Sequence, residues 1–138
     1  MIVGIVGLGL IGGSFAKAVS QKTAHTVLGF DISGDAVRGA LADGAIKGIL
    51  DAAGIGGCDI IIIALYPCAT VDFVKTHAES IKPGAIVVDC CGTKRYVCSE
   101  LFPLSTEHGF SFVGGHPMAG VESSGYDSSF AELFLERR

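Results

Sequence analysis

Charge and large aromatic side chains are scarce in this sequence. Only 17% of its 138 residues are Asp, Glu, Lys or Arg, 8% are aromatic, and tryptophan is absent. The formal net charge is −4, which gives no basis for a nucleic acid or an anionic membrane as partner. No basic segment precedes the uncharged start, and glycines break its apolar run repeatedly before Lys17. That stretch therefore reads as folded protein and neither as a signal peptide nor as a membrane span. The five cysteines are odd in number and contain no C-x-x-C. Free thiols in a reducing cytoplasm are expected, and no Cys/His spacing suggests a metal site. Internal repeats, low-complexity tracts and linkers are missing as well.

What is present is apolar residues and glycine. Hydrophobic residues make up 49% of the chain and there are 20 glycines, values that fit an α/β protein whose central strands are buried on both faces. The length allows one domain with a real core. Met1–Val6 is apolar and β-branched apart from Gly4, and it runs into Gly7-Leu8-Gly9-Leu10-Ile11-Gly12, a G-x-G-x-x-G. A helical run follows, with Ile11, Phe15, Ala18 and Val19 on one face. In a strand–turn–helix of this kind Gly7 permits the tight turn, Gly9 lets the backbone approach a pyrophosphate, and Gly12 lets helix and strand pack closely. The N–H groups that open the helix, at Leu10 and Ile11, face the anion. Residues 26–30 form a second apolar strand, and Asp31 closes it nineteen residues after Gly12. A carboxylate there accepts hydrogen bonds from the adenine ribose and repels a 2′-phosphate; the first arginine beyond it is Arg38. NAD is favoured over NADP. Ser33 lies beside Asp31 as a further cofactor contact, and Ser33 or Asp35 is expected to cap the next helix.

Strands and helices then alternate, as in a doubly wound, mostly parallel sheet. A helix is expected over 35–42, ended by Gly44, and a short third strand over 46–50 within the poorly patterned stretch 45–57. Asp59–Leu65 holds four consecutive isoleucines and reads as a buried strand. Pro67 starts the next helix, with Val71, Val74, Ala78 and Ile81 at helical spacing. Lys82-Pro83-Gly84 is a turn, residues 85–89 the fifth strand, 94–104 a helix, and 110–113 the sixth strand. The rest, 121–138, is expected to be a polar loop with a short helix around 129–135.

Ligands in such a sheet lie beyond the carboxyl ends of the strands. Leu65, Tyr66, Pro67 and Gly92 occupy loops there and are assigned to the cofactor. His116, between two glycines and Pro117, should face the hydride-transfer position and is the natural general base. Thr93 and Lys94 are candidates to orient that base or to bind a substrate carboxylate; helix start and solvated charge explain them equally well. Cys90 and Cys91 read as packing residues.

Three segments carry a family resemblance. Gly7–Ser14, Asp89-x-Cys91-Gly92-Thr93-Lys94-Arg95 and Gly114-Gly115-His116-Pro117-Met118-Ala119-Gly120, with Glu122 and Gly125, are similar to prephenate dehydrogenase over nearly the whole chain. The resemblance implies a Rossmann-type domain and NAD-dependent oxidative decarboxylation of prephenate to 4-hydroxyphenylpyruvate in tyrosine biosynthesis; some members prefer arogenate or NADP. It implies that His116 hydrogen-bonds the ring hydroxyl of prephenate and, as neutral imidazole, takes its proton. Glu122 then matches a residue at the mouth of the substrate pocket. Two departures stand out. Many members carry a serine where this chain has Gly92, with Thr93 the nearest hydroxyl. The helical domain that builds the family's homodimer and supplies an arginine for the substrate carboxylate has no counterpart in residues 1–138. The chain is therefore expected to be the NAD-binding half of such an enzyme, with little turnover alone. Rival readings are a hydroxy-acid or imine reductase and a non-catalytic dinucleotide-binding module.

Overall fold

The computed structural model describes residues 1–135. Six strands form one parallel sheet: β1 (Ile2–Val6), β2 (Thr26–Phe30), β3 (Gly48–Ile49), β4 (Ile60–Ile63), β5 (Ile86–Asp89) and β6 (Ser111–Gly114), in the spatial order β3-β2-β1-β4-β5-β6. Five helices connect them: α1 (Leu10–Lys22), α2 (Gly34–Ala42), α3 (Ala52–Gly57), α4 (Pro67–His77) and α5 (Arg95–His108). This is the doubly wound Rossmann arrangement expected from the sequence. The strand order reverses between β1 and β4, and that switch point opens a crevice at the carboxyl ends of the strands.

Alternation along each strand divides the core between two faces. Ile61, Ile63 and Val87 point toward Ile55 of α3, Val71 and Val74 of α4, and Val97 and Leu101 of α5. Val3, Ile5 and Val27 point the other way, toward Ala16 of α1 and Ala40 of α2. Phe15 and Val19 pack against this second cluster as expected, but Ala16 is the fully buried alanine of α1.

Several boundaries differ from the sequence reading. Strand β3 shrinks to two residues, and the six-residue α3 follows it unannounced. Its Ala-Ala-Gly-Ile-Gly-Gly sequence has poor helical propensity, but Asp51 caps it by accepting the Gly54 N–H at 2.7 Å. Helix α5 runs past Leu104 to His108, with Pro103 inside it, and stops at Gly109 in the left-handed region (φ 78°). The short helix expected around residues 129–135 does not form; a 3-10 turn at Tyr126–Ser128 and looser turns take its place. Helix α1 holds the backbone at the start of this segment. Ser14 Oγ accepts the Phe130 N–H at 3.1 Å and Lys17 Nζ donates to the Ser129 carbonyl at 2.8 Å. The Leu133 N–H donates to the Phe130 carbonyl at 3.3 Å and the Leu135 N–H to the Glu132 carbonyl at 3.0 Å, three-residue steps that close turns. The end of that expected loop, residues 136–138, lies outside the described residues.

Candidate active site

Three glycines shape the β1–α1 turn by different means. Gly7 sits at φ 88°, and a Cβ on it would stand 2.4 Å from the Ala64 carbonyl oxygen. A Cβ on Gly12 would stand 1.7 Å from the Gly7 carbonyl oxygen, so α1 can lie this close to β1 only without a side chain there. Gly9 is the reverse case: nothing lies within 4 Å of its Cβ position. It is also the residue that opens α1, with no side-chain cap and no acidic residue in the first turn. The N–H groups that start any helix lack partners inside it, so this end presents donors and positive potential to open space.

Asp31 stands at the end of β2, beside that turn. One carboxylate oxygen accepts the Leu8 N–H at 2.7 Å and the other the Ser33 N–H at 2.8 Å. The side chain is thereby fixed from both sides, with a lone pair left on each oxygen for a ligand. Ser33 does cap α2, its Oγ accepting the Ala36 N–H at 3.3 Å.

A cleft of about 680 Å³ lies over the switch point. Gly7, Gly9, Leu10, Ile11, Asp31, Leu65, Tyr66, Pro67 and Gly92 are among the residues that line it. Of the residues assigned to the cofactor from sequence, Gly12 lies beneath the turn and Ser33 behind Asp31, outside the lining. The cleft is also lined by residues not assigned to the cofactor from sequence: Ile32, Phe73, Cys90, Cys91, Ser124 and Gly125. Ser124 and Gly125 come from far along the chain. Tyr126 brings them there: its ring fills notches left by Gly13 and Gly39, its hydroxyl donates to Asp43 at 2.9 Å, and Lys17 Nζ lies 4.5 Å from the ring centre. Burial and the Asp43 carboxylate push its hydroxyl well above the usual tyrosine range. Only the glycines at 13 and 39 hinted at this in the sequence.

His116, Thr93, Lys94 and Glu122 do not line the cleft. His116 adjoins it through Gly92, whose Cβ position is 3.7 Å from the imidazole Nε2. A side chain at position 92 would therefore stand in ordinary contact with this histidine. The Met118 N–H donates to His116 Nδ1 at 3.0 Å, and Met118 is the one non-glycine among the described residues with positive φ (50°). Since the amide can only donate, Nδ1 accepts, and neutral imidazole carries its proton on Nε2. Thr93 and Glu122 are exposed, and Lys94 spends its ammonium on Asp89 and on the Gly115 carbonyl. Burial pushes the Cys90 thiol up to about 12 and raises that of Cys91 as well, consistent with packing and not with nucleophilic chemistry.

Fold and cleft together define a nucleotide-binding domain of the dehydrogenase type. The family profile described as "Prephenate dehydrogenase, nucleotide-binding domain" matches residues 15–138, and the chain belongs to that family. It is 33% identical to prephenate dehydrogenase of Lactococcus lactis subsp. cremoris over 136 residues, covering 94% of this chain and 37% of that protein. Among solved structures, prephenate dehydrogenase from Aquifex aeolicus with hydroxyphenyl propionate and NAD+ has a TM-score of 0.82 at 29% identity, covering 97% of this chain and 47% of the other. Synechocystis arogenate dehydrogenase has a TM-score of 0.82 at 27% identity, with 96% and 46% covered. The chain thus spans less than half the length of these relatives.

Proposed function

We propose that this chain is the NAD-binding half of a cytoplasmic prephenate dehydrogenase, a single Rossmann domain over residues 1–138 that binds the coenzyme but turns over little substrate alone. The observation that carries the reading is Asp31, held by the Leu8 and Ser33 amides with a free lone pair on each oxygen. Two such acceptors suit the two hydroxyls of the adenine ribose and repel a 2′-phosphate. Gly9 leaves room for the phosphates, the α1 amides meet their charge, and Leu65, Tyr66, Pro67 and Gly92 border the nicotinamide end. Bound there, NAD supplies a hydride acceptor.

For the substrate the reading assigns His116 to the ring hydroxyl. To take the hydroxyl proton at Nε2, the imidazole must hold its own proton on Nδ1, so the Met118 hydrogen bond opens as substrate is engaged. Loss of carbon dioxide and aromatisation then draw the reaction forward. Glu122 and Thr93 belong to the substrate side of this reading, and a second domain supplies the remaining contacts and the homodimer. The curated relatives named prephenate dehydrogenase, 33% identical, favour prephenate; the arogenate dehydrogenase structure is 27% identical.

Calorimetric titration with NAD and with NADP tests the reading. Binding of NAD with NADP much weaker supports it; equal affinities, or none, overturn it. A steady-state assay with prephenate should show little turnover by the chain alone, and rates like those of intact relatives would refute that part.

A further inference from the structure

The loops that carry Gly92 and His116 leave neighbouring strands, and one buried carboxylate joins them. Asp89 ends β5 and is 0% exposed. Its Oδ2 accepts the Cys91 N–H at 3.0 Å and the Lys94 ammonium, and its Oδ1 accepts the Gly115 N–H at 3.0 Å. Lys94 also donates to the Gly115 carbonyl. Both backbone polar groups of Gly115 are therefore held by a single ion pair, one residue before His116. The pairing of β5 with β6 ends at Asp89 opposite Gly114, so the ion pair takes over where the ladder stops. Close packing limits the path further: a Cβ on Gly115 would stand 2.5 Å from the Asp89 carbonyl oxygen, and one on Gly114 2.9 Å from Cys98 Sγ.

Asp89 is fully buried while a third of the Lys94 side chain is exposed, and an ion pair that takes a carboxylate out of water is a poor device for stability alone, because its desolvation offsets much of the attraction. Directed hydrogen bonds to a particular peptide unit do something apolar residues cannot. We propose that Asp89 and Lys94 are positioning residues: they clamp the peptide groups of Gly115 and so hold the His116 imidazole against Gly92 at the edge of the cleft. Lys94 serves that role in place of binding a substrate carboxylate. The functional weight of the clamp rests on His116 being the substrate-facing side chain, but its geometry does not.

The test compares the parent chain with Lys94→Met, Asp89→Asn and the double variant. Thermal unfolding, NAD binding, and NMR of labelled His116, with its through-space contact to Gly92, are the readouts. Removing one charge should lower the unfolding temperature, and neutralising both should recover much of the loss. The His116–Gly92 contact should disappear in all three, with NAD binding retained through the turn and Asp31. If a single variant cannot be folded, the double variant carries the same readout. Survival of the contact in a variant, or its return in the double variant together with stability, would overturn the clamp. No readout needs turnover, so failure of the dehydrogenase reading, seen as a parent chain that ignores NAD, stays distinguishable.

Discussion

At the scale of single residues, the chemistry narrows to two side chains whose hydrogen bonds are already committed. Asp31 is oriented before any ligand arrives, so the interaction with a ribose proposed for it would lose little side-chain entropy. A hydrogen bond to a charged group is worth about 1.5–3 kcal/mol, so Asp31→Asn should weaken NAD binding roughly ten- to a hundredfold. The same change should narrow the gap between NAD and NADP, since the charge that repels a 2′-phosphate is gone. Titration of the variant with both coenzymes checks this, and an unchanged preference would place the ribose elsewhere. His116 is held differently, through a Met118 amide on a strained backbone. In an intact enzyme containing this domain, His116→Asn should lower kcat by the roughly 10²–10⁴ typical of a lost acid–base group. NAD affinity should hold.

At the scale of elements, the β1–α1 unit separates two tasks that both require glycine. Gly9 faces open space with φ −83°, a value any residue adopts. Gly9→Ala should therefore leave the fold within about 1 kcal/mol of the parent, the ordinary cost of a poorer N-cap. The added methyl would occupy the space proposed for the phosphates, so NAD binding should be lost. Gly12→Ala forces a Cβ onto the Gly7 carbonyl and pushes α1 off the sheet, costing about 3 kcal/mol or more of stability. Denaturant unfolding and NAD titration of the pair check the contrast. Equal stability losses would mean the turn adapts as a whole. The C-terminal segment is the other element that matters. It was expected to be a polar loop with a short helix around 129–135, yet Tyr126 anchors it against α1 and α2 and carries Ser124 and Gly125 to the cleft.

For the whole molecule, one buried and one half-buried thiol tie stability to pH. Burial raises Cys58 from 9.0 to about 11 and Cys90 from 9.0 to about 12. In the unfolded chain these thiols ionise near their ordinary value, whereas the folded chain keeps them protonated. Above pH 9 the unfolded state therefore binds fewer protons, and stability must fall as pH rises. Their contribution is complete below pH 9 and is lost progressively toward pH 11 and 12. Tyr126, also shifted upward, adds with the same sign. Denaturant midpoints measured on either side of pH 9 should decline on the alkaline side, and a flat profile would mean that these groups are solvated.

Much of this architecture was written in short stretches. The apolar run Ile60–Ile63, the glycines at 7, 9 and 12, and Asp31 announce themselves because strand burial, tight turns and anion binding depend on residues a few positions apart. Their fates could be read from local pattern alone. The helix α3, the return of Tyr126 onto Gly13 and Gly39, the capture of Lys94 by Asp89, and the nitrogen of His116 that meets Met118 were decided by the folded chain. The Tyr126 and Lys94 contacts join atoms up to 113 positions apart in sequence, and the other two turn on side-chain geometry. Packing and the placement of hydrogen bonds choose among alternatives that composition and spacing leave equal.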